Sequence, residues 1–422
     1  MPENEGHAAE KRVAYVLLWF PRSTETFIFR EVVQLRERGL PIFVYTLYGA
    51  SPRGCSEEMR AYAGPVRRMG VRALGRMLGA FFRRLKQEPR TVLRLLREGW
   101  LRRQRDAESF LENQWAFFAG FLLAEQCRED KVSLIHAPWA NGPATAAWVA
   151  SRLTGIPFMF TGRAGDIYPP DALLREKSRD AVRIRANNAA NIDWLASFCP
   201  KGQEDKVRLI YNSLTFTSTE ERALPVHKTF RLLAVGRLVP KKGFADLFTA
   251  IARLVREGFP VRLTLVGDGY LRLPLLRLRE RLGLADVIEM PGFLPHDKIP
   301  GYFRSNDLLV MPCIIQNGDG NRDGIPNVIM EALSQCMPVV ATDVCGIAEV
   351  VRDGETGLLV PQHDPAALAR AVRRMSADRE KALAMARAGR ELVLGMFDEE
   401  KNNAALREMY LSAAGGEGGQ HA

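Results

Sequence analysis

The stretch "LLVMPCIIQNGDGNRDGIPNVIMEALSQCMPVVATDV", residues 308–344, places a glycine-rich acidic loop between two apolar runs, and three architectures compete for it. Read as a calcium loop, it puts Asp319, Asn321, Asp323 and Gly324 at the first, third, fifth and sixth positions. The twelfth position, which must supply a bidentate carboxylate, is Met330; Glu331 comes one residue late and Pro326 intrudes. Read as a dinucleotide fingerprint, "GDGNRDG" spaces its glycines as GxGxxxG and sits deep in the chain. The third reading is strand "LLVMPCI", loop, helix "PNVIMEALSQ" and strand "MPVVATDV", with Pro326 at the first helical position. It makes the loop the carboxyl end of a parallel strand, and it is the reading that the flanking sequence extends.

The runs "FRLLAVGRL", "VRLTLVGDG", "VIEMPGF" and "TGLLV" add further strands, separated by helix-sized segments. One of those segments carries Phe244, Leu247, Phe248, Ile251, Leu254 and Val255 as a core-facing stripe. The first half repeats the pattern: strand "RVAYVLLWF", loop "PRSTET", helix "FIFREVVQLRERG" and strand "IFVYTLY", then strand "SLIHA", helix "GPATAAWVASRLTG" and strand "PFMFTG". At 422 residues the chain exceeds the ~250–300 residues one core usually holds, so two domains are expected. The boundaries expected are 1–212 for an N-terminal Rossmann-like domain with a basic helical insert at about 66–105, 213–228 for a linker poor in apolar periodicity, and 229–395 for a second Rossmann-like domain. A C-terminal helix at 396–412, packing back on the first domain, and a disordered Gly-rich tail at 413–422 complete the chain. The fold class is α/β, with two doubly wound domains facing across a cleft.

Six scattered cysteines without a CxxC pair suit a reducing compartment and argue against structural zinc. The polar start "MPENEGHAAEKR" shows no signal peptide, and no apolar run reaches membrane-spanning length. A cytoplasmic protein follows as the expectation. The net charge of +10 is concentrated: residues 66–105 hold thirteen Lys or Arg against two Glu, and the remainder is near neutral. Met77, Leu78, Phe81, Phe82 and Leu85, then Val92, Leu95 and Leu96, recur there at helical spacing. A solvated basic helix face competes with docking on an anionic membrane surface, peripheral on the inner face of the plasma membrane. Nucleic acid is not expected as a partner, since no finger, helix-turn-helix or RNP pattern accompanies the charge.

Chemistry is expected in the loops at the carboxyl ends of strands. Gly236 and Arg237 end one strand, and Lys241 and Lys242 follow before the next helix. A guanidinium fork and a mobile ammonium suit a diphosphate. The helix start at Gly324, Ile325, Pro326 and Asn327 offers free N–H groups and a positive dipole end to the same anion. Asp323 and Glu331 would repel phosphate, so they read as acceptors for sugar hydroxyls, and no DxD pair accompanies them to carry a metal.

"VGRLVPKKGF" (235–244), "LVGDGYLR" (265–272), "MPGFLPHDKIPGYFRSNDLLVMPC" (290–313) and "DGIPNVIMEALSQCMPVVATDVCGIAEVVRDGETGLLV" (323–360) resemble the donor domain of family-4 retaining glycosyltransferases with the GT-B fold. More loosely, "FPRSTETFIFREVVQLRERG" (20–39) and "GIPFMFTGRAGDIYPPDALLREK" (155–177) resemble the branch that builds bacterial exopolysaccharides. The resemblance implies a UDP- or GDP-linked sugar donor, a glycan, lipid-linked or small-molecule acceptor, and no cofactor. It places the E-x7-E motif on Asp323, for the donor sugar, and Glu331, for the ribose. It assigns the donor diphosphate to Arg237 and Lys242, and the base to the backbone of Gly292, Phe293 and Leu294. Two positions depart from the pattern: Asp323 stands for Glu, and Arg163 stands for a His. An imidazole can polarise a sugar hydroxyl, whereas a guanidinium is a permanent cation and no base. Glu25, Thr26 and Asp166 are the candidates on the acceptor side.

Overall fold

The computed structural model describes residues 11–100, 102, 106–214, 228–295 and 298–415. It contains two parallel sheets. The first comprises β1 (Val13–Arg22), β2 (Ile42–Ser51), β3 (Val66–Arg68), β4 (Leu134–Ala137), β5 (Phe158–Gly162), β6 (Arg183–Ala186) and β7 (Val207–Leu209), in the order β3-β2-β1-β4-β5-β6-β7. The second comprises β8 (Phe230–Val235), β9 (Val261–Val266), β10 (Ile288–Gly292), β11 (Leu308–Met311), β12 (Val339–Thr342) and β13 (Leu358–Val360), in the order β10-β9-β8-β11-β12-β13. In each sheet the strand order reverses beside the first strand, between β1 and β4 and between β8 and β11. Outside the carboxyl ends at such a switch point, adjacent loops diverge and leave room for a ligand.

The chain divides into two compact units. One takes residues up to Asn187, Asn191–Ser213 and the segment from Glu399; the other takes Asn188–Ala190 and Leu214–Asp398. Most of the 213–228 segment expected as a linker lies outside the described residues, as does the tail after Gly415. The last helix spans Glu399–Ala414 and belongs to the first unit.

Burial follows sequence period in both units. In β1, Val13, Tyr15 and Leu17 share a core with Ile28, Val32 and Leu35 of the helix Thr26–Glu37 and with Leu406, Met409 and Tyr410 of the last helix. In the second unit, Leu232 and Ala234 of β8 and Leu263 and Leu265 of β9 pack with Leu247, Phe248, Ile251 and Leu254. Val255, the sixth member of that expected stripe, lies in the last turn of helix Phe244–Arg256 and is exposed.

Three strands were not anticipated. β3 ("VRR"), β6 ("RIRA") and β7 ("VRL") are short and arginine-bearing, so they lack the apolar run by which buried parallel strands are recognised. β3 opens the basic block, which continues as helices Leu74–Gln87 and Pro89–Leu95. The apolar stripe expected there is split. Met77, Val92 and Leu95 are buried, but Leu78 and Phe82 are exposed, because Ala73, Ala80 and the Arg84 stem occupy the inward face instead.

Arg185 of β6 is buried and pairs with Glu31 at 2.6 Å. Glu31 also accepts from the Tyr15 hydroxyl at 2.9 Å; the Tyr15 and Tyr410 hydroxyls lie 2.5 Å apart, and Tyr410 bonds His136 Nδ1 at 2.8 Å. His136 Nε2 lies 2.9 Å from Thr161 Oγ1. Burial pushes the imidazole down to about 3, so the ring is neutral. Below the ordinary His range the unfolded chain takes a proton that the folded one refuses, and this group therefore lowers stability as pH falls from about 6 toward 3. Tyr410→Phe strands the buried ring nitrogen, and a loss of about 1–3 kcal/mol is expected from the denaturant midpoint at constant slope.

Candidate functional site

The loops after β8 and β11 lie against each other. Past Gly236 and Arg237, a tight turn over Pro240–Lys242 ends at Gly243, φ +64°. A Cβ on Gly243 would stand 1.8 Å from the Pro312 carbonyl oxygen, so the contact requires glycine. Ile314 N–H donates to the Lys241 carbonyl at 2.9 Å, fastening the second loop to the first. Gly236 N–H donates to Val266 of β9 at 2.9 Å.

The acidic loop closes on itself before it reaches the helix. Asp319 accepts from Asn321 N–H at 2.9 Å, and Gln316 N–H donates to the Asn321 carbonyl at 2.8 Å. Both residues that begin the calcium-loop reading are thereby used in the turn. Asp323 points to the turn after β8, with Oδ1 3.0 Å from Lys241 Nζ and Oδ2 2.7 Å from Lys242 Nζ. Lys241 also donates to Asn321 Oδ1 at 3.3 Å and the Arg322 carbonyl at 3.4 Å. Burial alone would raise the Asp323 carboxyl, but Lys242 and Lys241 outweigh it and hold it well below the usual carboxylate range. Burial would lower Lys242, and Asp323 reverses that and raises it. Cys313, buried beside them, is pushed up to about 12 and stays a thiol.

Arg237 is exposed and makes no ion pair among the described residues, yet its charge is felt at Lys242. Lys241 and Lys242 thus face one carboxylate, and Arg237 adds a third positive charge beside Lys242. Gly324, Ile325 and Pro326 lead from Asp323 into the helix Asn327–Ser334. Pro326 is the capping residue, with ψ 125°, one position before the first helical residue expected for it. Glu331 follows half-buried on the second turn. Gly292 ends β10, two strands from β8, and Phe293 and Leu294 follow it; the Gly292 carbonyl accepts from Gly267 N–H at 2.9 Å, and Phe293 is exposed.

The remaining candidates gather at the carboxyl ends of β1 and β5 in the first unit. Arg163 follows β5 directly and is buried. Its Nε donates to the Pro138 carbonyl at 3.0 Å and its Nη1 to Asn212 Oδ1 at 2.8 Å, while Nη2 has no hydrogen-bond partner among the described residues. The guanidinium lies over the Phe27 ring at 4.5 Å and the Trp139 ring at 5.5 Å. Burial and the neighbouring Arg185 lower it to about 10, which leaves it a cation at neutral pH. Asp166 accepts from Arg163 N–H at 2.7 Å and Ala140 N–H at 2.5 Å, and burial pushes its carboxyl up to about 7. Glu25 precedes Thr26, the first residue of its helix, and pairs with Arg22 at 3.1 Å; its carboxyl is raised by burial and lowered in part by Arg22 and Arg163.

Residues 217–392 match the family model "Glycosyl transferases group 1". Among solved structures, Anabaena Alr3699/HepE in complex with UDP and glucose superposes with a TM-score of 0.71 at 19% identity, over 95% of this chain and all of that one. Sucrose-phosphate synthase from Thermosynechococcus elongatus does so with a TM-score of 0.71 at 18% identity, over 95% and 98%. The fold is GT-B. WcaL of Salmonella typhimurium, whose name assigns it to colanic acid biosynthesis, is 34% identical over 179 residues, 42% of this chain and 44% of WcaL. The amylovoran biosynthesis glycosyltransferase AmsK of Erwinia amylovora is 30% identical over 212 residues, 48% and 51% of the two chains. A GDP-mannose-dependent phosphatidylinositol monomannoside mannosyltransferase of Mycobacterium tuberculosis is 33% identical over 166 residues, 39% and 43%. The match spans about half the length of these curated relatives.

Lys241 is the residue whose part in the site sequence reasoning missed. The signal was present as a second lysine beside Lys242, opposite a shortened acid.

Proposed function

We propose that the protein is a retaining, metal-independent glycosyltransferase that moves a sugar from a UDP- or GDP-linked donor to a glycan, lipid-linked or small-molecule acceptor. The observation that carries this reading is the convergence of Arg237, Lys241 and Lys242 with the start of helix Asn327–Ser334 at the β8/β11 switch point. The names of the matched relatives support a nucleotide sugar and a role in surface polysaccharide or glycolipid assembly.

In the reaction, the bond from the sugar's anomeric carbon to the diphosphate oxygen breaks, and a bond to the acceptor oxygen forms on the same face. The acceptor's proton passes to the departing phosphate oxygen. Charge builds on the diphosphate, where Arg237, Lys242 and the helix N–H groups stabilise it electrostatically. Lys241 and Lys242 then share a second anion besides Asp323. Glu331 holds the ribose, Gly292 to Leu294 receive the base, and Asp323 reaches the sugar from a site that the two lysines fix.

A second reading, a sugar-nucleotide-binding protein impaired in turnover, is favoured by Arg163. Its bonds to Pro138 and Asn212 hold it inside the first unit, and as a cation it is no base. Release of nucleoside diphosphate from a panel of UDP- and GDP-sugars distinguishes the two. Under the leading reading the wild type turns over one donor, and Arg163→His changes the rate without being needed for it. Turnover only after Arg163→His establishes the second reading instead.

A further inference from the structure

The helix Leu74–Gln87 of the first unit leaves one apolar face uncovered. Ala73, Met77 and Ala80 are buried, and Phe81 packs edge-on against Phe118 and Phe121 at 5.4 and 5.1 Å. Val71, Leu74, Leu78 and Phe82 point away from that contact and are 78%, 43%, 38% and 62% exposed. At about 100° per residue these four fall within about 80° of arc, and Arg72, Arg76, Arg83 and Lys86 occupy the neighbouring arc of about the same width. Beyond Pro89 the pattern persists, with Leu93 exposed between Arg90 and Arg94.

The cations are available. Arg83 pairs with Glu125, but Arg72, Arg76, Lys86, Arg90, Arg94 and Arg97 have no ion-pair partner among the described residues. A merely solvated face has no use for a phenylalanine and three aliphatic side chains aligned in water. Nucleic acid would engage the arginines and leave that ridge wet. A bilayer with anionic headgroups takes both: phosphates against the basic arc, and the ridge at the boundary of the acyl chains.

We infer that the face formed by Val71, Leu74, Leu78 and Phe82 with Arg72 and Arg76 docks the protein in the plane of an anionic lipid surface. No helix among the described residues is long and apolar enough to cross a membrane, so this contact is interfacial. The inference stands apart from the transferase reading, since no donor-site residue takes part in it. It places the protein where a lipid-linked acceptor would be found.

The test is co-sedimentation of the full chain with vesicles of phosphatidylcholine alone and of an equal mixture with phosphatidylglycerol. Binding to the mixed vesicles and not to the neutral ones is expected, with loss at high salt. Phe82→Ser lowers the partition coefficient about tenfold, and Arg72→Glu with Arg76→Glu lowers it by about tenfold or more. Both leave the unfolding midpoint in place, because these side chains are exposed. Equal binding to neutral vesicles, wild-type binding by both variants, or binding to an oligonucleotide but to neither vesicle overturns the inference.

Discussion

Arg237→Ala lowers donor turnover by about 10²–10³-fold, the cost of removing one preorganised donor from a developing charge, while its unfolding free energy stays within about 0.5 kcal/mol of wild type. The contrast arises from the side chain's position. Arg237 is exposed at the end of β8 and pairs with nothing among the described residues, so the fold does not lean on it. In the proposed reaction a departing diphosphate does, because Lys241 and Lys242 already share their charge with Asp323. Arg237→Lys keeps the charge and loses the fork, so it recovers part of the rate. Steady-state kinetics beside a urea titration of each variant provide the check. Wild-type turnover in Arg237→Ala removes this residue from the site.

Asp323→Ala destabilises the protein by about 3–5 kcal/mol, the usual cost of leaving buried cations without their counter-ion. Two ammonium groups depend on this one carboxylate, and both are largely buried. Asp323→Glu, which keeps the charge, costs less, and Asp323→Ala combined with Lys241→Met costs less than the two changes summed. The pH dependence has a definite sign. The folded carboxyl sits below its unfolded value of 3.8, so its contribution is fully present above that pH and is lost as pH falls through the folded value. Lys242 is raised above 10.5, so its contribution is complete below that pH and is lost as pH rises through the folded value. Asp323→Asn therefore flattens the acid limb of a stability–pH curve, and an unchanged limb contradicts the assignment.

The parallel strands were legible where apolar runs are long enough to declare themselves, as in "VAYVLLWF" and "FRLLAV". They were hidden where a strand buries charge. β6 was missed because Arg185, in the middle of "RIRA", reads as a surface residue until Glu31, 154 positions earlier, is placed against it. Such a pairing across the fold leaves no local trace. The loops that bring Lys241, Lys242 and Asp323 together were legible because they follow strands and are marked by Gly or Pro. The ion cluster was legible only in part: adjacent lysines and a shortened acid are visible in sequence, but their pairing requires the turn at Gly243 to press on Pro312. The basic block shows the opposite limit. Helical period gave the apolar residues of the block one stripe, whereas buried Ala73 and Ala80 take the inward face of helix Leu74–Gln87 and leave Leu78 and Phe82 outward.

The central claim, that the β8/β11 switch point holds a nucleoside diphosphate, is tested most directly by a thermal-shift titration with UDP, GDP and ADP on the wild type and on Arg237→Ala. A bound nucleotide stabilises by mass action, by about 2.7 kcal/mol at a hundredfold excess over Kd. UDP or GDP is expected to raise the wild-type midpoint in a saturable way and to raise that of Arg237→Ala far less. No shift with any of the three nucleotides, or equal shifts in both proteins, would contradict it.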